Sequence, residues 1–444
     1  MLRHLDDPAP PVPDEGVLGQ VLARAERLRA ARRRRHGLVV SVVAASVVLA
    51  LGLPRWLAPT SPGGLADTRQ SAYQFDQRAD PPPGSPVPTT SLTDVVFSGP
   101  QHGFGLAEHR DRLVLAVTTD GGNRWQVAPG RLPADGLGVE SAVQMEFTSR
   151  QAGYLWALPA PAASTSAMWW TSDGGAAWRR APIGPVVYDV SAIGPDVWAL
   201  VGSCSGPSCA LQVEISSDGG STWAPPAPGP LPGVRPLADQ PSSVELARVS
   251  PSRAYVLSLV PGGPASLVFT GDGGRSWSTR PVPCAGPFGL GAELALSSTA
   301  DLWMICGGQA SAGSQAKSLY RSETAGASWS LAAATAAFAG APGPPPGAGT
   351  LPLAGYVEPY SIGHKNLAIV SRRQAWLFPT RGTVLASDDG GDRWDPVTGL
   401  AQAGFGSGAP GNVTFVDPRH GWVDELGVGL WETTDGASWR SLGV

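Results

Sequence analysis

The sequence predicts an all-β fold, a seven-bladed β-propeller over residues 92–444, preceded by an N-terminal amphipathic helix and one transmembrane helix. Three observations predict it: an acidic turn motif that recurs seven times, an aromatic segment ahead of each copy in the same register, and one long apolar run near the N-terminus. Composition agrees. With 57 Gly and 44 Pro but only 15% charged residues, the chain is suited to many short strands and tight turns. Its 16 Trp argue against disorder, because disordered chains are poor in large aromatics.

Residues 1–36 read as a cytoplasmic segment with a basic amphipathic helix. Asp14 serves as N-cap, and Val17, Leu18, Val21, Leu22, Ala25 and Leu28 recur on one helical face. Arg32 to Arg35 form a basic block, after which Gly37 to Leu53 carries no charge and is extended by Trp56 and Leu57. Residues 37–57 at 1.5 Å each reach the ~30 Å of a hydrocarbon core. The four arginines put the N-terminus in the cytoplasm and the propeller outside it. A cleaved signal peptide is the competing reading, but it would lack an Ala-x-Ala site. The helix is read as resting on anionic lipid in preference to binding a regulator. Residues 58–91, rich in proline, form an extended linker. The expectation is therefore a single-pass protein of the cell membrane, touching the bilayer through 37–57.

Repeats decide the remainder. Thr119-Asp120-Gly121-Gly122-Asn123-Arg124-Trp125 recurs at Ser172 to Trp178, Ser217 to Trp223, Gly271 to Trp277 and Asp388 to Trp394. Glu323 to Trp329 has Thr324 where Asp belongs, and Thr434 to Trp439 is one residue short. The Asp positions are 120, 173, 218, 272, 389 and 435, with Thr324 filling the fifth place. One interval is long and contains the Ala/Gly/Pro-rich insertion Leu331 to Gly349. Ahead of the boxes, Phe97 to Phe104 is echoed by Phe147 to Tyr154 and Phe415 to Trp422, with weaker copies ending at Trp198, Tyr255, Trp303 and Trp376.

Each unit then reads as four strands. In the first, Asp94 to Phe97 is strand A, Gly103 to Glu108 is B, Leu113 to Thr118 is C, and Trp125 to Val127 is D after the box. About fifty residues per four-stranded unit, seven times over, is propeller arithmetic. In the box, Asp accepts N–H groups across the turn, the hydroxyl before it adds a bond, and Gly supplies positive φ. The tryptophans Trp125, Trp178, Trp223, Trp277, Trp329, Trp394 and Trp439 cover the turns with an apolar face.

The pattern Ser/Thr-x-Asp-Gly-Gly-x-Ser/Thr-Trp resembles the Asp-box, or BNR, repeat of sialidases, sortilin-type receptors and photosystem II assembly-factor-like propellers. The Gly-Gly doublet and the preceding Phe-x6-aromatic segment look most like the last group. The resemblance implies that Asp120, Asp173, Asp218, Asp272, Asp389 and Asp435 are structural corners, remote from any active centre. It also raises an exo-sialidase as an alternative. The Arg-Ile-Pro segment of that family is matched only by Arg131-Leu132-Pro133, which falls after the first box, and no Tyr/Glu/Arg set can be assembled from spacing.

The four cysteines allow three pairings, of which Cys204–Cys209 and Cys284–Cys306 join neighbours in the repeat scheme. Free thiols or a metal site are the rival readings, though no His or third Cys stands at ligand spacing. No metal and no cofactor is expected. Beyond Arg55, 23 Lys/Arg face 31 Asp/Glu, which gives no footprint for nucleic acid. Only Lys317 and Lys365 are lysines; with the Ala, Gly and Pro excess this points to a GC-rich bacterial genome.

In the four-strand scheme, A–B and C–D turns share one face, while B–C loops and D-to-A crossings share the other. Irregular lengths collect on the second face: Leu158 to Ala167, the Cys204–Cys209 loop, Ala224 to Gln240, Gly307 to Lys317 and Leu331 to Tyr360. Recognition usually resides in such loops. The expected role is a non-enzymatic binding scaffold for a protein or glycan, with Arg235, Asp239, Lys317, Tyr356, Glu358 and Tyr360 as contacts. Besides the sialidase, a transmembrane sensor with a regulator-binding cytoplasmic helix is the other alternative.

Overall fold

The computed structural model describes residues 81–109, 112–133, 143–158, 166–184, 186–205, 208–227, 229–234, 244–259, 265–284, 291–297, 301–311, 313–338, 340–357, 365–397, 400, 410–425 and 427–443. The amphipathic helix and the apolar run at 37–57 lie outside them. Among the described residues no helix is long and apolar enough to cross a membrane.

The described residues form seven sheets, antiparallel except for one outer strand of blade 5, and the fold is an all-β seven-bladed propeller. The innermost strands, here called A, are Leu92–Gly99, Val143–Phe147, Val186–Ile193, Val244–Ser250, Gly291–Leu296, Leu367–Ile369 and Pro410–Phe415. Each A strand touches the A strands of the blades before and after it, and the last touches the first, so the ring closes around a central channel. Strands B, C and D follow outward as a meander, in blade 1 as His102–His109, Arg112–Thr118 and Trp125–Val127. Blade 3 keeps only a single bridge, Ile215 to Ala224, in place of its fourth strand.

The core lies between blades. Phe104 of blade 1 stacks on Phe147 of blade 2 with centroids 3.5 Å apart, and Trp376 of blade 6 lies 4.3 Å from Phe415 of blade 7. This packing accounts for the glycine that opens strand B in the aromatic segment. A Cβ on Gly153 would come within 2.3 Å of the Phe147 ring, and one on Gly421 within 2.4 Å of Phe415. Only glycine lets the Phe of strand A fold back over its own hairpin.

Two stretches differ from the sequence reading. The linker, taken to run to residue 91, ends earlier: Pro86–Val87 pairs antiparallel with Trp125 and Gln126 as an outer fifth strand of blade 1. A 3-10 turn, Thr89–Ser91, then carries the chain to strand A, and Thr89 Oγ1 donates to the Leu442 carbonyl of blade 7. This segment clasps the first and last blades together. Proline was no bar there, because an edge strand needs no donor on its open side. The region from Leu331 to Tyr360, a loop by sequence, takes in most of the D strand of blade 5, Ser330–Thr335, and a parallel fifth strand, Gly349–Leu351. Its alanines pack as core, with Ala333 and Ala334 buried.

Candidate functional site

The box turns come first, because they hold most of the acidic residues singled out by the sequence. In blade 2 the Thr171 hydroxyl donates to Asp173 Oδ1 at 2.7 Å and accepts the Gly175 N–H at 2.9 Å, while Asp173 Oδ1 accepts the Ala177 N–H at 2.9 Å. The same set of bonds recurs at Asp120, Asp218, Asp272 and Asp389. In blade 5, Thr324 Oγ1 accepts the Ser328 N–H in place of a carboxylate. The short box of blade 7 closes one residue sooner, with Thr433 Oγ1 accepting from Gly436.

The acidity of the boxes follows from these bonds. The Thr222 N–H and hydroxyl hold Asp218 down at about 2, and the Ser276 hydroxyl and N–H do the same for Asp272. Trp223, Trp277 and Trp394 donate their indole N–H to the carbonyl of the second box glycine, whereas Trp329 reaches the Pro281 carbonyl. Trp125, Trp178 and Trp439 cover their turns with the indole N–H unbonded. Each box carboxylate is thus occupied by its own turn.

A second polar system lines the channel and was missed in the sequence. Every A strand carries, or in blade 6 directly follows, a polar residue ahead of an apolar one: Asp94-Val95, Gln144-Met145, Asp189-Val190, Glu245-Leu246, Glu293-Leu294, Asn366-Leu367 and Asn412-Val413. Strand register makes these pairs equivalent, since Val95, Met145, Val190, Leu246, Leu294, Leu367 and Val413 pair with the corresponding positions of strand B. The polar side chains reach to the next blade. Asp94 accepts the Met145 N–H, Asp189 accepts Leu246 N–H at 2.7 Å, Glu245 accepts Leu294 N–H at 3.4 Å, and Glu293 accepts Leu367 N–H at 3.0 Å. Asn412 donates its side-chain amide to Asp94 and so joins blade 7 to blade 1. Glu146, two residues after Gln144, accepts the Ala192 N–H of blade 3. The signal was present as a polar residue three before Phe97, Phe147 and Phe415, but an alternation of period two hides one polar position among several.

Burial raises these carboxyls: Asp94 to about 7, Asp189 to about 7 and Glu146 to about 8, with Glu293 raised as well. Cations meet some of them. Lys365, next to strand A of blade 6, pairs with Glu245 of blade 4. Its side chain is partly exposed, and Glu245, Glu293 and Asp189 beside it hold the ammonium protonated. Arg248 faces Glu146, bonds Asp196 Oδ2 at 2.9 Å and lies 4.5 Å over the Trp198 ring. Among the described residues no three His, Cys, Asp or Glu side chains converge as a metal site.

The residues expected to contact a ligand divide. Arg235, Asp239, Glu358 and Tyr360 lie outside the described residues. Lys317 is not a ligand contact. It is 0% exposed, and its ammonium donates to the carbonyls of Gln315, Leu353, Ala354 and Gly355 at 2.9–3.4 Å. Burial lowers it to about 8. Its four-carbon stem lets a loop residue by sequence act as a fastener for the loop above it. Tyr356 stands partly exposed in that loop, its hydroxyl accepting the Gly313 N–H at 2.6 Å. Cys284 and Cys306 are bonded, tying the exit of blade 4 to strand B of blade 5. Cys209 is in a disulfide, and Cys204 lies opposite it in the strand ladder.

Clefts open elsewhere. One of about 480 Å3 lies at the outer edge of blade 1 beneath Pro81, Pro82 and Pro83. Another of about 560 Å3 lies on the box face between blades 3 and 4, lined by Trp198, Pro226, Asp272 and Arg275 among others. Neither is lined by the channel acids.

No family model matches the chain, and no curated protein matches it. Solved structures do. YCF48 bound to D1 peptide is 17% identical, with a TM-score of 0.52 over 80% of this chain and 98% of that one. YCF48 from Cyanidioschyzon merolae is 15% identical, with a TM-score of 0.47 over 79% and 98%. A polysaccharide lyase, an ulvan lyase, is 10% identical, with a TM-score of 0.48 over 81% and 96%. At these identities the likeness is one of fold.

Proposed function

We propose that the chain is a membrane-anchored, extracytoplasmic binding scaffold that seats a protein segment or glycan on its long-loop face and catalyses nothing. The observation that carries this reading is the inequality of the two faces. On one, five box turns repeat one hydrogen-bond pattern and two vary it, and each box carboxylate is engaged by its own turn. On the other, connections run from the tight turn between Ser205 and Ser208 to the long crossing between Thr335 and Leu367. A rigid ring presenting unequal loops is suited to recognition. The channel acids are engaged by backbone N–H groups of neighbouring blades, not left free for chemistry. That YCF48, of the same fold, is seen with a D1 peptide supports a protein segment as the ligand class.

The anchor rests on the apolar run 37–57 and its flanking arginines. Two measurements test the reading. A photo-crosslinker at Tyr356 of the full chain in its native membrane should capture a defined partner, whereas one placed in the exposed box residue Arg275 should not. Turnover of a fluorogenic sialoside by the purified protein would instead make it an enzyme.

A further inference from the structure

The channel acids fall into two arcs that differ in one respect. Asp189, Glu245 and Glu293 share the ammonium of Lys365, and Glu146 has the guanidinium of Arg248. At the seam of blades 7 and 1, Asp94 and Asp424 have no cation beside them among the described residues, only each other. Asp424, in strand B of blade 7 (Gly421–Glu425), is 1% exposed, and Asp94 is 8% exposed. Asn412 joins the two: its N–H donates to Asp424 Oδ1 at 2.7 Å, and its side-chain amide donates to Asp94. Asp94 also accepts the N–H groups of Met145 and Val95, whereas Asp424 Oδ2 accepts no hydrogen bond from the protein. The other charged groups on the elements packed here are turned elsewhere. Strand A of blade 2 carries Glu146, which accepts the Ala192 N–H of blade 3. Beside Asp424 in its own strand, Glu425 lies on the opposite face. Strand C of blade 7 (Gly429–Thr433) carries Glu432, paired with Arg440. Strand B of blade 1 has His102, Glu108 and His109 only at its ends, and strand A of blade 6 has no charged residue.

Two ionised carboxylates buried together without a cation would repel with nothing to offset it. The hydrogen bonds decide which of the two ionises. Three N–H donors favour the charged form of Asp94 and fill three of about four acceptor positions on its oxygens. Asp424 has an oxygen able to carry a proton, and the remaining position on Asp94 can accept it. Burial, and then Asp94 beside it, raise Asp424 to about 8.

We infer that Asp94 and Asp424 hold one proton between them and that this proton latches blade 7 to blade 1, so that the ring parts first at this seam when the proton is lost. The two carboxyls titrate as a unit, with Asp424 carrying the proton on Oδ2. Once it leaves, two buried charges oppose each other at the junction of blades through which the chain does not run. Both carboxyls titrate higher in the folded chain than in the unfolded one. The latch is therefore full below about pH 4 and is lost as pH rises through about 7 to 8.

Hydrogen exchange of the full chain, followed by mass spectrometry and corrected for the intrinsic rate, reads the opening. Peptides carrying the Asn412 and Met145 N–H groups should lose protection about tenfold per pH unit between about pH 5 and 7, because opening releases one proton. The loss should level off above about pH 8, where the proton is already gone. Asp424→Asn, whose amide can donate to Asp94 in place of the hydroxyl, should lose this dependence. Glu146→Gln, in the other arc, should keep it. Infrared spectra of the wild type near neutral pH should show the carbonyl stretch of a protonated carboxyl that Asp424→Asn lacks. Seam protection that does not change with pH in the wild type overturns the inference, whether or not the variant folds. So does an unchanged dependence in folded Asp424→Asn.

Discussion

At the scale of single residues, the seven boxes form a natural substitution series. Six keep Asp and use Gly for the left-handed position after it; blade 5 has Thr324 followed by Ala325, whose φ is 54°. An alanine held there costs about 1–2 kcal/mol. Ala325→Gly should therefore stabilise the protein by about 1 kcal/mol, part of the relief being offset by glycine's greater freedom when unfolded. Denaturant titration reads this directly, and a destabilised variant would contradict it. Lys317 offers the opposite case. Four carbonyls share its ammonium, so Lys317→Met leaves them facing an apolar group and should cost about 2–4 kcal/mol. Increased amide exchange should be confined at first to residues 353–357. If the variant melts like the wild type, the cage contributes nothing.

At the scale of elements, the Cys284–Cys306 bond closes a loop of sequence separation 22 and joins two blades that share no strand. Replacing Cys284 and Cys306 together by serine should lower stability by about 3 kcal/mol, as the chain-entropy relation gives for a loop of that length. Unfolding curves that coincide for the wild type and the double variant would refute it. The elements also show what the sequence could disclose. The boxes were legible because the turn needs Asp, Gly and Trp at fixed spacing, and local chemistry of that kind is written in consecutive letters. Strand A and the glycine opening strand B were legible through the Phe–Gly pair, itself a local steric requirement. The Pro86–Val87 strand was not, because two residues without alternation look like the linker around them. The blade 5 strand Ser330–Thr335 was lost among alanines, which carry no β signal until a neighbouring sheet buries them. The channel acceptors were missed because their partners lie roughly fifty residues away on another blade.

At the scale of the whole molecule, two sets of carboxyls pull stability in opposite directions with pH. The box aspartates Asp218 and Asp272 titrate at about 2 in the folded protein, below their unfolded value, so their contribution is present above about pH 4 and lost as pH falls through 2. Asp189 and Glu146 titrate at about 7 and 8, above their unfolded value, so their contribution is full below about pH 4 and is lost as pH rises through 7 and 8. Melting temperature between pH 3 and 8 should peak on the acid side of neutrality, and Glu146→Gln should flatten the alkaline limb. A melting temperature still climbing at pH 8 would contradict this. The ring that these groups brace has one seam. There Phe97 stacks on Trp422 at 3.6 Å, the Trp422 indole donates to the Gly121 carbonyl at 3.0 Å, and Thr89 bonds Leu442. Because the described chain both enters and leaves at that seam, the order in which the blades are encoded is incidental to the circle they make. Joining the two ends and reopening the polypeptide between other blades would give a circular permutant with the same neighbours throughout.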